Sequence, residues 1–210
     1  FDKLISWRTG EFTGVTGIGT SHTAGASVDQ WETLSFADVV NGTRGITYAV
    51  LNNVLVIANA GAWFYIDNDN GTTTTAVSGE PSAINLTNYR DRLYASGSGA
   101  SSGDPRRVFF SARGDGTSWS TTVDFFDVED QRGEGVTGFR VLNDNLLTFK
   151  TNSTFTYNEV ELKQRLTGVG AWNNKVPIEI DGIIYTFCPR GIFATNGFEA
   201  KQIGIPVKQF

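Results

Sequence analysis

The sequence contains no methionine, one cysteine (Cys188) and one histidine (His22). A lone cysteine excludes an intrachain disulfide. With His22 and Cys188 far apart in sequence, neither a thiolate–imidazole pair nor a zinc site finds its usual ligands. The context "YTFCPRG" places Cys188 at the end of an apolar run, where a thiol reads as a small buried hydrophobe. Basic residues are also short: 17 Lys and Arg against 22 Asp and Glu, a net charge of −5. A protein that grips nucleic acid by neutralising phosphates needs a basic excess or stripe, and the densest basic group here is Arg106–Arg107. No secretory leader or apolar run of membrane length occurs, so no membrane anchor is expected. No segment carries the i, i+3, i+4, i+7 stripe of an amphipathic helix. The missing methionine, with Phe1 in first place, leads to the expectation of a fragment or processed product of a longer protein.

What is present is turn formers and aromatics. Twenty-four glycines and many Thr, Ser and Asn residues accompany 15 Phe, 6 Tyr and 5 Trp among 210 residues. That mixture predicts an all-β chain of many short strands. Residues 1–210 are long enough for one large β domain or two small ones.

The strands repeat. "LNNVLVIANAGAWFYID" (Leu51 to Asp67) aligns without a gap on "LNDNLLTFKTNSTFTYN" (Leu142 to Asn158). "DGIIYTFCPRGIFATNG" (Asp181 to Gly197) aligns next, bringing Phe193 under Phe155 and Asn196 under Asn158. A looser copy starts at "NYRDRLYASG" and resumes at "RRVFFSA" after the insertion "SGSGASSGDP". Copies thus begin near residues 51, 89, 142 and 181, at spacings of 38, 53 and 39. A period of roughly 40 residues with two or more strands per unit predicts β-propeller-like blades. Residues 46–210 would hold four units, and 1–45 a partial blade from "DKLISW" and "WETLSFADV". One such blade cannot cover its own apolar faces, so such units come in arrays, and the chain is expected to be a single β-propeller-like domain, an open array or a fragment of a larger propeller that neighbours complete.

Several stretches invite a chemical reading. "SARGDGTSW" (Ser111 to Trp119) resembles the aspartate-box turn of sialidase-like propellers, with Ser and Asp four apart instead of two. Even a true copy would be a turn between strands. "DNDNG" (Asp67 to Gly71) resembles the start of a calcium loop, but Gly71 is fifth and position twelve is Ser78, not Glu. "DVEDQRGEG" (Asp127 to Gly135) gathers four acids. Paired carboxylates held about 5–10 Å apart would suit glycoside hydrolysis, whereas acidic loops ordinarily face water. "TGVGAWNNKVP" (Thr167 to Pro177) exposes Trp172, Asn173 and Asn174 as candidate subunit or glycan contacts, with Trp119 beside them as a fourth candidate. No nucleophile–base–orienter trio, phosphate-cradling loop or metal cluster is visible, so no catalytic, cofactor or metal residue is assigned and no enzyme is expected.

The order of "NYRDRLYASGS", "RRVFFSARGDGTSW", "FFDVEDQRGEGVTGFRVLNDNLLTFKTNSTFTY" and "GVGAWNNKVPIEIDGIIYTFCPRGIFATNGFEAKQIGIPVKQF" resembles bacteriophage tail proteins. The nearest group is the propeller-bearing tail nozzle type, tail tubular protein B, with packaged-DNA stabilisation proteins related to it. The likeness covers about residues 85–210. It implies a virion structural subunit in a homo-oligomeric ring at the phage tail, touching copies of itself and other tail proteins, with DNA passing during ejection without specific binding. The acidic balance suits a channel that must not hold DNA. The alternative from another class is a carbohydrate-binding or glycan-cleaving propeller used in host recognition. The positions of Trp63, Trp119, Trp172 and the acids around Glu129 separate the two. One shared cleft favours sugar; burial between sheets favours a scaffold.

Overall fold

The computed structural model describes residues 46–59, 62–66, 75–97 and 104–204, together with strands β1 (Leu4–Arg8) and β2 (Gln30–Leu34). β1 and β2 pair antiparallel, with Trp7 opposite Trp31. The remainder of 1–45 and the calcium-like stretch Asp67 to Gly71 lie outside the described residues.

The expectation of an all-β chain holds: no helix occurs among the described residues. Four antiparallel sheets of four strands follow one another along the chain. The first comprises β3 (Thr47–Leu51), β4 (Val54–Asn59), β5 (Ala62–Ile66) and β6 (Thr75–Ala76). The second comprises β7 (Asn85–Tyr89), β8 (Arg92–Ser96), β9 (Arg107–Phe110) and β10 (Phe125–Asp127). The third comprises β11 (Gly138–Leu142), β12 (Asn145–Phe149), β13 (Ser153–Tyr157) and β14 (Leu162–Thr167). The fourth comprises β15 (Ile178–Ile180), β16 (Ile183–Cys188), β17 (Gly191–Thr195) and β18 (Ala200–Gly204). Strands run in sequence order within each sheet. The copies read from the sequence begin at the first hairpin turn, whereas each sheet begins one strand earlier. The first strands were missed as part of the repeat because their sequences, such as "TYAVL" and "GFRVL", share little beyond alternation.

The four first turns explain why the repeat was visible. Asn52-Asn53, Arg90-Asp91, Asn143-Asp144 and Asp181-Gly182 all have positive φ at both residues. That is the two-residue turn whose twist matches paired strands, and Asn, Asp and Gly adopt it at least cost. The third and fourth sheets also share a bulge. Register shifts at Thr154/Phe155 and at Ile192/Phe193, the same place in both.

The sheets stack face to face. Ala49, Val56, Ala58 and Trp63 of the first sheet meet Leu93 and Ala95 of the second. Tyr94 and Val108 of the second meet Phe139, Leu146 and Phe155 of the third. Leu142, Leu147 and Phe149 of the third meet Ile184 of the fourth. Each large apolar side chain so buried contributes about 1.5–3 kcal/mol. The first strands β3, β7 and β11 lie side by side. On the fourth sheet the face turned away from the third leaves Ile178, Ile180, Ile183, Phe187, Ile192 and Ile203 exposed.

Candidate functional site

Trp63 and Trp119 pack together, and Trp172 stands apart from them. Trp63 is 1% exposed and packs edge-on against Trp119, with ring centroids 5.0 Å apart, in the core between the first and second sheets. Trp119 Nε1 donates to Gly116 O at 2.9 Å. Trp172 stands on the other side of the array, 56% exposed and stacked on Phe187 of the fourth sheet.

The segment Ser111 to Trp119 folds as a closed turn. Asp115 Oδ1 accepts from the Thr117 amide and hydroxyl at 2.8 and 2.7 Å. Ser111 bridges to Trp119, and its Oγ accepts from the Leu93 amide at 3.0 Å. Ser111 Oγ and Asp115 Oδ1 are thus committed to holding this segment, while Arg113 reaches out of it to Glu159.

Of the four acids of Asp127 to Gly135, Glu129 faces water, with its side chain 73% exposed, and the other three are held by the fold. Asp127 makes a two-pronged ion pair with Arg107, at 2.8 and 3.0 Å. Glu129 lies 3.8 Å from Arg106, whose main partner is Asp104. The hydrogen bond from Arg106 holds the Asp104 carboxyl down at about 2. Glu134 accepts from the Asn152 amide and side chain. The Asp130 side chain is 5% exposed and lies 3.4 Å from the fully buried Lys150 amine. Burial pushes the Asp130 carboxyl up, but Lys150 and the amides of Glu134 and Arg132 outweigh it and hold the group below its ordinary range. Burial pushes the Lys150 amine down, and the amine has no well-directed hydrogen-bond partner. Sequence reasoning missed this pair because the two residues are 20 apart and belong to different segments. Among the described residues no group of three His, Cys, Asp or Glu is placed to hold a metal.

Between the second and third sheets, Arg90, Arg92 and Arg113 converge on Glu159, at 3.8, 4.0 and 2.8 Å. Arg90 also pairs with Asp144, donates to Asn158 O at 2.8 Å, and has its pKa raised by the Asp144 contact. Asn52 donates to Gly114 O at 2.9 Å, and Asn88 to Val50 O at 2.7 Å, which ties the first sheet to the second. These side chains join the turn of one sheet to the next.

The predicted contact residues Asn173 and Asn174 serve the loop before β15. Asn173 Oδ1 accepts from the Lys175 amide at 2.9 Å, and Asn174 Nδ2 donates to Ile84 O at 3.2 Å. Arg140 donates to Asn174 O at 3.0 Å. Thr47, Tyr48, Asn85, Arg140, Asn174 and Lys175 border a cavity of about 420 Å³ where β3, β7 and β11 begin. Cys188 is buried, its thiol 3.7 Å from Gly168 O.

No family model and no curated protein matches the sequence. Among solved structures, the chain is similar to PorZ, described as an essential bacterial surface component of the type-IX secretion system of Porphyromonas gingivalis. The identity is 14% and the TM-score 0.49, over 82% of this chain and 22% of that one. This chain therefore spans about a fifth of PorZ's length, and a likeness of this size carries no functional inference.

Proposed function

We propose that this chain is a structural module that works by packing and not by catalysis: four consecutive blades of a β-propeller-like array within a bacteriophage tail nozzle or hub ring. One observation carries the scaffold reading. Trp63 and Trp119 are spent on the core between the first two sheets and Trp172 stacks on the fourth, so these three tryptophans do not form one platform. The acids themselves are engaged in ion pairs and loop hydrogen bonds. The propeller reading is supported by the side-by-side first strands and by three consecutive face-to-face junctions. The uncovered apolar face of the fourth sheet supports an array that continues into a neighbouring sheet, because such a face is costly to leave wet.

The place in a virion rests on the order of sequence elements from Asn88 to Phe210. An antibody against the chain should decorate one end of the tail in purified virions of the source phage. Its absence from virions, with the protein recovered free, would refute the tail assignment and leave the scaffold reading to be judged separately.

A further inference from the structure

The cavity at the start of β3, β7 and β11 has an electrostatic peculiarity. Its two charged lining residues, Arg140 and Lys175, are both cations, and no carboxylate lines it among the described residues. Arg140 is half-buried and donates only to main-chain carbonyls, Phe139 O at 2.6 Å and Asn174 O at 3.0 Å. Other described arginines that leave the surface have acids: Arg90, Arg92, Arg106, Arg107 and Arg165 each lie within 4.0 Å of a carboxylate. Arg140 has none among the described residues, and burial alone pushes its pKa down. A desolvated guanidinium without a counter-charge is unfavourable unless an anion completes it.

The site is also rigid. A Cβ added at Gly138 would stand 2.7 Å from Asn174 Cα, so the loop bearing Asn174 and Lys175 is seated directly on β11. Asn174 Nδ2 is tied to Ile84 O, and Asn85 Nδ2 to Ser96 Oγ at 3.3 Å. Two of the five guanidinium N–H groups are used, which leaves three to donate to an oxyanion. The volume of about 420 Å³ falls within the range of small-molecule sites.

We propose that this cavity binds a small phosphate- or carboxylate-bearing ligand, with Arg140 as the anchoring fork and Lys175 as the second cation at the mouth. The net charge of −5 favours a small anion over a polyanion, which the rest of the surface would repel. The exposed Tyr48 ring, 69% accessible at the mouth, offers an apolar wall for the remainder of the ligand.

The test is calorimetric titration of the intact chain with sodium phosphate and, separately, sodium succinate, each against sodium chloride at matched ionic strength. Binding by either oxyanion and not by chloride is expected, with the two arms identifying the preferred chemistry. Arg140→Gln should weaken it by about tenfold or more, as loss of charge-assisted hydrogen bonds does. Lys175→Gln, on the exposed loop, should weaken it several-fold with an unchanged circular dichroism spectrum. If Arg140→Gln fails to fold, Arg140→Lys keeps the charge and loses the fork, and weaker binding is again expected. No difference between phosphate, succinate and chloride would overturn the proposal. So would unchanged binding in the Lys175 and Arg140 variants, or a short oligonucleotide binding far more tightly than either small anion. None of these results bears on the scaffold reading.

Discussion

At the scale of the residue, Glu159 shows what holds two sheets together. It sits at φ 70, where its counterpart in the fourth sheet is Gly197 at φ 91. The turns match: Asn158 caps Val160 and Glu161 as Asn196 caps Phe198 and Glu199. A side chain in that backbone region costs roughly 1–2 kcal/mol, and Glu159 repays it by gathering three arginines. Glu159→Gln keeps the strain and loses the charge, so it should destabilise by about 1 kcal/mol at low salt and less at high salt. Glu159→Gly loses the charge and the strain together and should lie closer to the parent. Urea midpoints of the three proteins at two salt concentrations test this, and an unchanged midpoint for Glu159→Gln would refute it. Gly170 is a steric case. A Cβ there would stand 2.0 Å from Lys150 O, against backbone that cannot give. Gly170→Ala should cost about 3 kcal/mol, read by the same measurement.

At the scale of the element, the two-residue turns control register. Asn53, at φ 64, makes no side-chain hydrogen bond among the described residues, whereas Asn52 reaches Gly114. Asn53→Gly should therefore be neutral or stabilise by up to about 1 kcal/mol, and Asn53→Val should destabilise by about 1–2 kcal/mol, because a β-branched residue resists positive φ. Thermal unfolding of both variants gives the sign. This is also the scale at which the sequence was most legible. Asn-Asn, Asn-Asp and Asp-Gly between alternating strands announce a hairpin, and their recurrence announced the repeat. Arg90-Asp91 was harder to see, since arginine is an unusual choice at φ 44. Its explanation is non-local: the side chain reaches Asp144, 54 residues away. The same limit hid the Asp130–Lys150 pair and the Arg140 cavity. Both depend on which sheets stack, and hydrophobic periodicity within one segment carries no information about that. Likewise nothing near the acids around Glu129 in sequence marks Lys150, Ser153 and Asn152 as partners of Asp130 and Glu134.

At the scale of the whole molecule, stability should fall in acid. Asp104, Asp130 and Asp144 all have folded carboxyls below their ordinary range. Each contributes stability that is present above the ordinary carboxyl pKa near 4 and is lost as pH falls through the folded value, about 2 for Asp104. The lowered pKa of Lys150 acts in its own window, making stability rise with pH between its folded value and the ordinary 10.5. Denaturant midpoints should drop steadily between about pH 5 and pH 2, and Asp104→Asn should flatten part of that slope without affecting the fold at pH 7. A midpoint independent of pH over that window would contradict the assignment.

The stacked sheets, the lashings between their turns and the exposed apolar face of the fourth sheet fit the proposed array, which would extend beyond one set of four sheets. The most direct test of a structural module in a ring is electron microscopy of particles carrying this chain, with the intact polypeptide mass measured alongside. The account predicts a ring of subunits around a lumen wide enough for DNA, with the fourth sheet's Ile178, Ile192 and Phe187 covered by a neighbouring sheet. A free monomer with a closed propeller, an open central cleft and glycan bound in it would contradict the account.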